Sequence, residues 1–194
     1  MSSALKKRRR LFVISAPSGS GKTTVIKELL RLEPGMVRSI SMTTRPPRAG
    51  ERHARDYWFV GPAEFAKARA RGDLLECARL LEHWYGTPLR PIRRALSKGR
   101  DVLLGLDIQG ARQLRREKLP MTSIFLLPPS VAALRSRLKG RGTETPAQIR
   151  ARLKLAQQEL KEVKYYDYAV VNDSLPEAVE TVKAIVKAER CRVN

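Results

Sequence analysis

The segment from Ala16 to Thr23, Ala-Pro-Ser-Gly-Ser-Gly-Lys-Thr, has the residue types and spacing of a loop that binds phosphate groups. Gly19 and Gly21 can adopt backbone conformations that point successive N–H groups at an anion, and they let phosphate approach closely. The pattern departs from G-x-x-x-x-G-K-S/T only at Ala16, which stands where the first glycine is usual. In this pattern Lys22 reaches the β- and γ-phosphates and Thr23 offers a hydroxyl to Mg²⁺. We therefore expect a nucleoside triphosphate and Mg²⁺ at this loop.

The elements on either side of the loop are the ones that such a site needs. Leu11–Ser15 is short and apolar, as a buried parallel strand would be. From Thr23 to Leu32 apolar residues recur at helical spacing, so a helix follows whose amino terminus adds a positive dipole end. A strand, a glycine-bearing loop and a helix open an α/β fold. The residues leave open the alternative of a Gly-Ser turn that merely precedes a helix.

A phosphate loop of this kind also calls for an acidic residue at the end of a neighbouring strand, to hold the Mg²⁺ shell. The apolar run Asp101–Leu106 predicts such a strand, and Asp107 follows it. Asp107 is therefore the second candidate metal ligand, with an ordinary strand-end turn residue as the alternative.

The rest of the chain predicts a parallel sheet flanked by helices, interrupted by an insertion. Between Val37 and about Arg100, polar segments and turns alternate with short apolar pieces, which is typical of an inserted subdomain. Capping-box patterns stand at Thr145–Gln148 and Ser174–Glu177. Further strands are expected at Ser123–Leu127 and Tyr168–Val171, and further helices at Glu64–Arg71, Pro91–Lys98, Ser130–Leu138, Thr145 to about Val163 and Ser174 to about Arg190.

Two arginines offer a second anion site. Arg45 and Arg48 stand three residues apart around a proline pair, which stiffens the backbone while the guanidinium groups can grip an oxyanion. Tyr57 could donate a third hydrogen bond. A solvated basic loop is the alternative for this segment.

Composition narrows the class of protein. The 194 residues carry 39 Lys and Arg against 19 Asp and Glu, a formal net charge of +20, which suggests a polyanionic partner. Nucleic-acid binding is expected to be incidental at most, through the basic run Lys6–Arg10, since aromatic residues are only 6% and no nucleic-acid motif is present.

Two cysteines and two histidines argue against a disulfide framework or a zinc cluster. No apolar run approaches a membrane span, so we expect a cytoplasmic protein without a membrane partner.

Six segments, in order, resemble those of guanylate kinases: APSGSGKTT, SMTTRPPRAGE, WYGT at Trp84–Thr87, LPPS at Leu127–Ser130, RLKGRGTET at Arg137–Thr145 and VVNDSL at Val170–Leu175. The resemblance covers the chain from Leu11 onward. It implies an ATP- and Mg²⁺-dependent kinase for GMP, with a P-loop core, a GMP-binding insertion and a helical lid. The implied division is a basic extension at 1–10 and one domain at 11–194, with its core at 11–40, 101–134 and 164–194, the insertion at 41–100 and the lid at 135–163.

The resemblance also implies roles for individual residues. It implies that ATP contacts Ala16, Pro17, Ser18, Gly19, Ser20, Gly21, Lys22, Thr23, Thr24 and Asn172, the last near the adenine. It implies that the GMP phosphate is bound by Arg45, Arg48, Tyr57 and Tyr85, and that guanine is read by Ser41, Glu76 and Thr87. The implied catalytic set is Lys22, Arg45, Arg137, Arg141 and Arg152.

The chemistry of guanine supports Glu76. Guanine presents N1–H and N2–H₂ on one edge, and one carboxylate accepts both, whereas adenine would face it with an acceptor at N1. Without the resemblance, Glu76 could equally be an exposed acid at the end of a helix.

The lid arginines suit phosphoryl transfer. Arg137 and Arg141 stand one helical turn apart, and fixed guanidinium groups stabilise the charge of a metaphosphate-like transition state without a general base. In so basic a chain, each of these arginines could instead lie on a solvated helix face.

One departure from the family pattern lies in the segment Leu104–Gly110, where guanylate kinases usually show two acids. Gly105 occupies the first acidic position, and Asp107 the second. Three other functions stay open on sequence alone: a non-catalytic module of the same fold, a nucleic-acid-binding protein, and a P-loop kinase with a different acceptor. The oligomeric state is not indicated.

Overall fold

The computed structural model of the protein describes residues 10–80, 82–139 and 145–193. Its core is a five-stranded sheet in which every neighbouring pair is parallel. Across the sheet the strands are β2 (Met36–Arg38), β7 (Asp101–Leu106), β1 (Leu11–Ser15), β8 (Thr122–Leu127) and β9 (Tyr168–Val171). The α/β class and the strands expected at β1, β7, β8 and β9 are confirmed.

Helices cover both faces of this sheet because its strands are apolar on both sides. Phe12 and Ile14 of β1 pack into one cluster with helices α1 (Lys22–Leu32) and α7 (Leu175–Cys191). Val13 points to the opposite face, where it packs with α3 (Leu89–Ser97) and α4 (Ile108–Arg116). Successive side chains of a strand point to opposite faces, so a uniformly apolar strand must be covered twice.

The region between β2 and α3 forms a second sheet. Its strands are β3 (Met42–Thr43), β4 (Trp58–Phe59), β5 (Leu74–Leu80) and β6 (His83–Pro88), in the order β4-β3-β6-β5. Helix α2 (Pro62–Ala70) lies on this sheet through the buried Phe65, whose ring stacks on Trp84 with centroids 6.0 Å apart. The helices expected at 64–71 and 91–98 are confirmed as α2 and α3. Ile92 of α3 packs in the core cluster with Val13.

Two further helices lie beside the phosphate loop. They are α5 (Val131–Lys139) and α6 (Pro146–Leu160), and Leu134, Leu138, Ile149, Leu153 and Ala156 pack together between them. The expected capping box at Thr145 and Gln148 is present, and the α6 backbone continues as a 3-10 helix at Lys161–Tyr165.

The prediction of a capping box at Ser174 is wrong. Ser174 is the residue before α7, but its side chain accepts no hydrogen bond from the helix. Pro176 occupies the second helical position and has no N–H, so one of the two donors that a capping side chain can use is missing.

None of the helices in the described part of the chain is both long enough and apolar enough to cross a membrane.

Candidate active site

The phosphate loop joins β1 to α1 at the carboxyl edge of the parallel sheet. Gly19 and Gly21 have φ angles of +94° and +87°, in the left-handed region that favours glycine. Ala16, the departure from the motif, is buried and packs its methyl group in the core. Thr23 and Thr24 are exposed in the first turn of α1. The backbone therefore has the conformation that a phosphate-binding loop requires.

The side chain of Lys22 reaches the end of β7. Its Nζ donates a hydrogen bond to the carbonyl oxygen of Leu106, the residue before Asp107. Burial lowers the pKa of Lys22 to about 8, and the nearby carboxylates of Asp107 and Glu159 oppose that shift. The ammonium group thus lies between the loop and the candidate metal ligand.

Asp107 begins α4 as its capping residue. Its Oδ1 accepts a hydrogen bond from Gly110 N at 2.7 Å, while Oδ2 accepts none from the described residues. The strand-end role and the metal role are thus compatible in one side chain. Within the described residues no cluster of three or more Asp, Glu, His or Cys side chains could hold a metal alone. The Oδ2 of Asp107 suits Mg²⁺, which proteins commonly bind through one or two carboxylates together with substrate phosphates.

The second sheet brings a buried acid, Glu76, close to Asp107, and the space bordered by Glu76, Asp107 and Lys22 is called the cleft below. Glu76 is 5% exposed on β5, and its Oε1 accepts a hydrogen bond from Thr87 Oγ1 at 2.6 Å. Burial is the main cause that raises the pKa of Glu76 to about 7, and the charge of Asp107 adds to the shift. A Cβ on Gly110 would lie 2.7 Å from Glu76 Oε2, so glycine is needed there to leave room for the carboxylate. The structure thus places Glu76 at a buried position of a strand rather than at an exposed helix end.

Arg45 and Arg48, the two arginines of the second anion site, lie in different surroundings. Arg45 is buried and donates to both carboxylate oxygens of Glu51 at 2.9 Å and to the hydroxyl of Tyr85 at 3.2 Å. Its guanidinium also lies 5.6 Å from the centroid of the Tyr57 ring. Arg48 is exposed. Arg45, Tyr57 and Tyr85 are therefore brought together, with Arg45 already held in place by Glu51.

Ser41 lies next to this cluster, immediately before β3. Its side chain is half-buried, and its carbonyl oxygen accepts a hydrogen bond from Trp58 N at 2.8 Å. The backbone of Ser41 thus joins β3 to β4.

The helices beside the phosphate loop contribute side chains to it. Arg152 of α6 donates to Ser18 Oγ at 2.7 Å, and Arg137 of α5 donates to the carbonyl oxygen of Asn172 at 2.9 Å. The side-chain amide of Asn172 donates to the carbonyl oxygen of Ser20 at 2.7 Å. Asn172 thus supports the loop itself. Arg141 lies outside the described residues.

Sequence reasoning missed Glu159. This half-buried carboxylate lies near Lys22, Asp107 and the backbone of Ser18, and its Oε2 has no hydrogen-bond partner among the described residues. Burial and the charge of Asp107 raise its pKa to about 7. Its spacing could have indicated it, because Glu159 follows Arg152 by seven residues, or about two helical turns, and so lies on the same face of α6.

Gly105 packs against α1. A Cβ at Gly105 would lie 2.7 Å from Ile26 Cδ1, so the space beside this glycine is filled by an apolar side chain.

Comparison with known proteins agrees with the order of these features. A sequence model described as guanylate kinase matches residues 8–189. The chain is 44% identical to the guanylate kinase of Geobacter metallireducens, over 97% of this chain and 93% of that protein. It is 46% identical to that of Syntrophotalea carbinolica, over 98% and 90% respectively. The crystal structure of guanylate kinase from Anaplasma phagocytophilum superposes with a TM-score of 0.81 at 34% identity, covering 98% of this chain and 90% of that one. The chain therefore belongs to the guanylate kinase family.

Proposed function

We propose that this protein transfers the γ-phosphoryl group of ATP to GMP, giving ADP and GDP in purine nucleotide metabolism. The proposal rests chiefly on one observation: the acid expected to bind guanine lies close to the residues expected to bind the ATP phosphates and Mg²⁺. Glu76, from the second sheet, and Asp107, after β7, both lie beside Gly110, where a Cβ would be 2.7 Å from Glu76 Oε2 and 3.3 Å from Asp107 Oδ1. Lys22 donates to the carbonyl oxygen of Leu106, the residue before Asp107. An acid suited to guanine and a lysine suited to transferable phosphate thus face one cleft.

The donor side is the phosphate loop. We infer that residues 16–24 bind the ATP phosphates through backbone N–H groups, with Lys22 on the transferred group. Mg²⁺ would be held by Thr23 and Asp107 together with phosphate oxygens, and would neutralise charge that develops during transfer. Asn172 acts here by fixing the carbonyl of Ser20, which supports the loop.

The acceptor side is formed by the second sheet. The carboxylate of Glu76 accepts N1–H and N2–H₂ of guanine, and Ser41 and Thr87 complete the base pocket. Arg45, Arg48, Tyr57 and Tyr85 bind the GMP phosphate. Arg45 can do so at little entropic cost because Glu51 and Tyr85 already fix its guanidinium.

Direct in-line transfer needs charge stabilisation rather than a covalent intermediate. We assign this role to Lys22, Arg45, Arg137, Arg141 and Arg152, of which Arg152 already reaches the loop at Ser18. In this proposal residues 11–40, 101–134 and 164–194 form the core, 41–100 the GMP-binding insertion and 135–163 the lid. Closure of the insertion and lid over both nucleotides would exclude water that hydrolyses ATP.

The experiment that tests the proposal measures ADP release in a coupled assay with GMP, AMP, CMP and UMP as acceptors. We expect GMP to exceed the others in kcat/KM by orders of magnitude. Equal rates with AMP and GMP would overturn the assignment of Glu76, and a preference for another acceptor would indicate a different P-loop kinase.

The other functions predict different results. A non-catalytic module would fail to bind ATP in a calorimetric titration, although Gly19, Gly21, Lys22 and Thr23 are all intact. For nucleic-acid binding, Arg10 offers little, since it pairs with the buried Glu189 at 3.4 Å; residues 1–9, with Lys6, lie outside the described part of the chain. The cytoplasmic location stays a prediction.

A further inference from the structure

Arg38 is a basic side chain to which neither the motifs nor the proposed mechanism gives a role. It is the last residue of β2, and its Cα pairs with that of Leu103 on the neighbouring β7. It therefore stands at the carboxyl edge of the parallel sheet, on the face covered by α1. In open α/β sheets, ligands bind outside this edge.

The guanidinium of Arg38 is weakly bonded for a half-buried arginine. Its one hydrogen bond to the described residues runs from Nη2 to the carbonyl oxygen of Asp56, 3.4 Å away, near the limit for such a bond. No carboxylate of the described residues forms an ion pair with it, whereas Arg45 is clamped by Glu51. An arginine has five N–H donors, so most of those on Arg38 are available to a ligand.

The neighbours of Arg38 indicate which ligand. Asp56 directly precedes Tyr57, which the proposed function places on the GMP phosphate. The positive charge of Arg38 also opposes the rise that burial causes in the pKa of Tyr57, which agrees with the hydrogen bond that places Arg38 beside the residue before Tyr57.

We propose that Arg38 is a third arginine for the acceptor phosphate, binding its oxygens beside Tyr57. This inference rests on the proposed function, because it takes the GMP phosphate to lie beside Tyr57. A forked guanidinium suits two phosphate oxygens, and in this position it would also hold the acceptor oxygen toward the transferred phosphoryl group.

The test compares the Arg38→Gln and Arg38→Lys variants with the unchanged protein. Arg100→Gln is the matched control, because Arg100 ties the segment before β2 through a 2.6 Å bond to the carbonyl oxygen of Pro34, away from the cleft. Calorimetry with GMP and with guanosine separates phosphate contacts from base contacts. For Arg38→Gln we expect GMP affinity to fall about tenfold or more while guanosine affinity is unchanged. Arg38→Lys should recover part of the loss, and Arg100→Gln should bind both ligands normally.

Two results would overturn the inference: normal GMP binding by Arg38→Gln, or an equal loss for GMP and guanosine, which would mean that Arg38 only ties β2 to Asp56. Failure of the proposed function is distinct, since the unchanged protein would then bind ATP without phosphorylating GMP.

Discussion

The hydroxyl of Thr87 donates a 2.6 Å hydrogen bond to the carboxylate of Glu76, and both side chains are buried. The two residues lie on the antiparallel strands β5 and β6, whose register shifts between Leu74 and Cys77. Such an irregularity re-aims side chains, and here Glu76 falls within it. A buried carboxylate held by one neutral hydroxyl keeps acceptor capacity for a ligand.

Replacing Glu76 with Gln should remove acceptor selectivity. The amide can no longer accept from both N1–H and N2–H₂ of guanine, so we expect kcat/KM for GMP to fall on the order of 100-fold. The GMP-to-AMP ratio in the coupled assay should fall with it. Glu117→Gln is the matched control, because it makes the same change at an exposed carboxylate, at the end of α4, that has no role in the proposed site. An unchanged GMP-to-AMP ratio in Glu76→Gln would contradict the assignment.

GMP affinity should rise with pH near neutrality. With its pKa at about 7, the carboxyl of Glu76 is largely protonated at pH 6 in the free protein, while guanine binding selects the ionised form. We expect an increase of up to about tenfold per pH unit below 7. The GMP phosphate itself has a pKa of about 6, so it also contributes to the pH dependence of GMP affinity. The same calorimetric series on Glu76→Gln measures the contribution of the phosphate alone. Identical slopes in both proteins would contradict this prediction.

The raised pKa of Glu76 should also make the free energy of unfolding depend on pH. A carboxyl whose folded pKa lies above its unfolded value of 4.5 binds more protons in the folded state between pH 4.5 and about 7. The free energy of unfolding should therefore fall as pH rises through that window. Urea denaturation at several pH values should show a shallower decline for Glu76→Gln, with part of the decline left because Glu159 is shifted in the same direction.

Gly21→Ala should abolish tight ATP binding. Gly21 has a φ of +87°, and a Cβ there would collide with the amide of Asn172 that supports the loop. Gly99→Ala is a matched control, since φ is +73° but nothing lies within 4 Å of its Cβ position. Both should lose about 1 kcal/mol from backbone strain, but only Gly21→Ala should lose tenfold or more in ATP affinity by calorimetry.

Gly105→Asp tests whether the missing acid matters. From the family pattern we expect it to improve activity or leave it unchanged. Because a Cβ would press on Ile26 Cδ1, the proper reference is Gly105→Ala, which carries the packing cost alone. A large loss of kcat/KM in the Asp variant relative to the Ala variant would show that the site is built around glycine.

Local sequence was sufficient for the phosphate loop and for the core strands β1, β7, β8 and β9. A glycine at positive φ, a buried strand and an amphipathic helix each depend on residues close in the chain, so pattern alone predicts them. The core strand β2 and the four strands of the second sheet were not predicted. β2, β3 and β4 have only two or three residues each and so show no periodicity. β3 pairs with β6, about forty residues away, and β4 pairs with β3.

Sequence alone determined that a glycine-bearing loop opens an α/β core, and it predicted that part of the charge excess binds nucleotide phosphates. The tertiary structure decided where the basic residues of the described chain lie, and that Arg38 and Glu159 are charged groups near the proposed site. It also decided that Glu76 is buried, that Gly110 leaves room for its carboxylate, and that Ile26 fills the space beside Gly105. The physical reason is that burial and charge proximity depend on contacts between segments far apart in the chain, which no local pattern encodes.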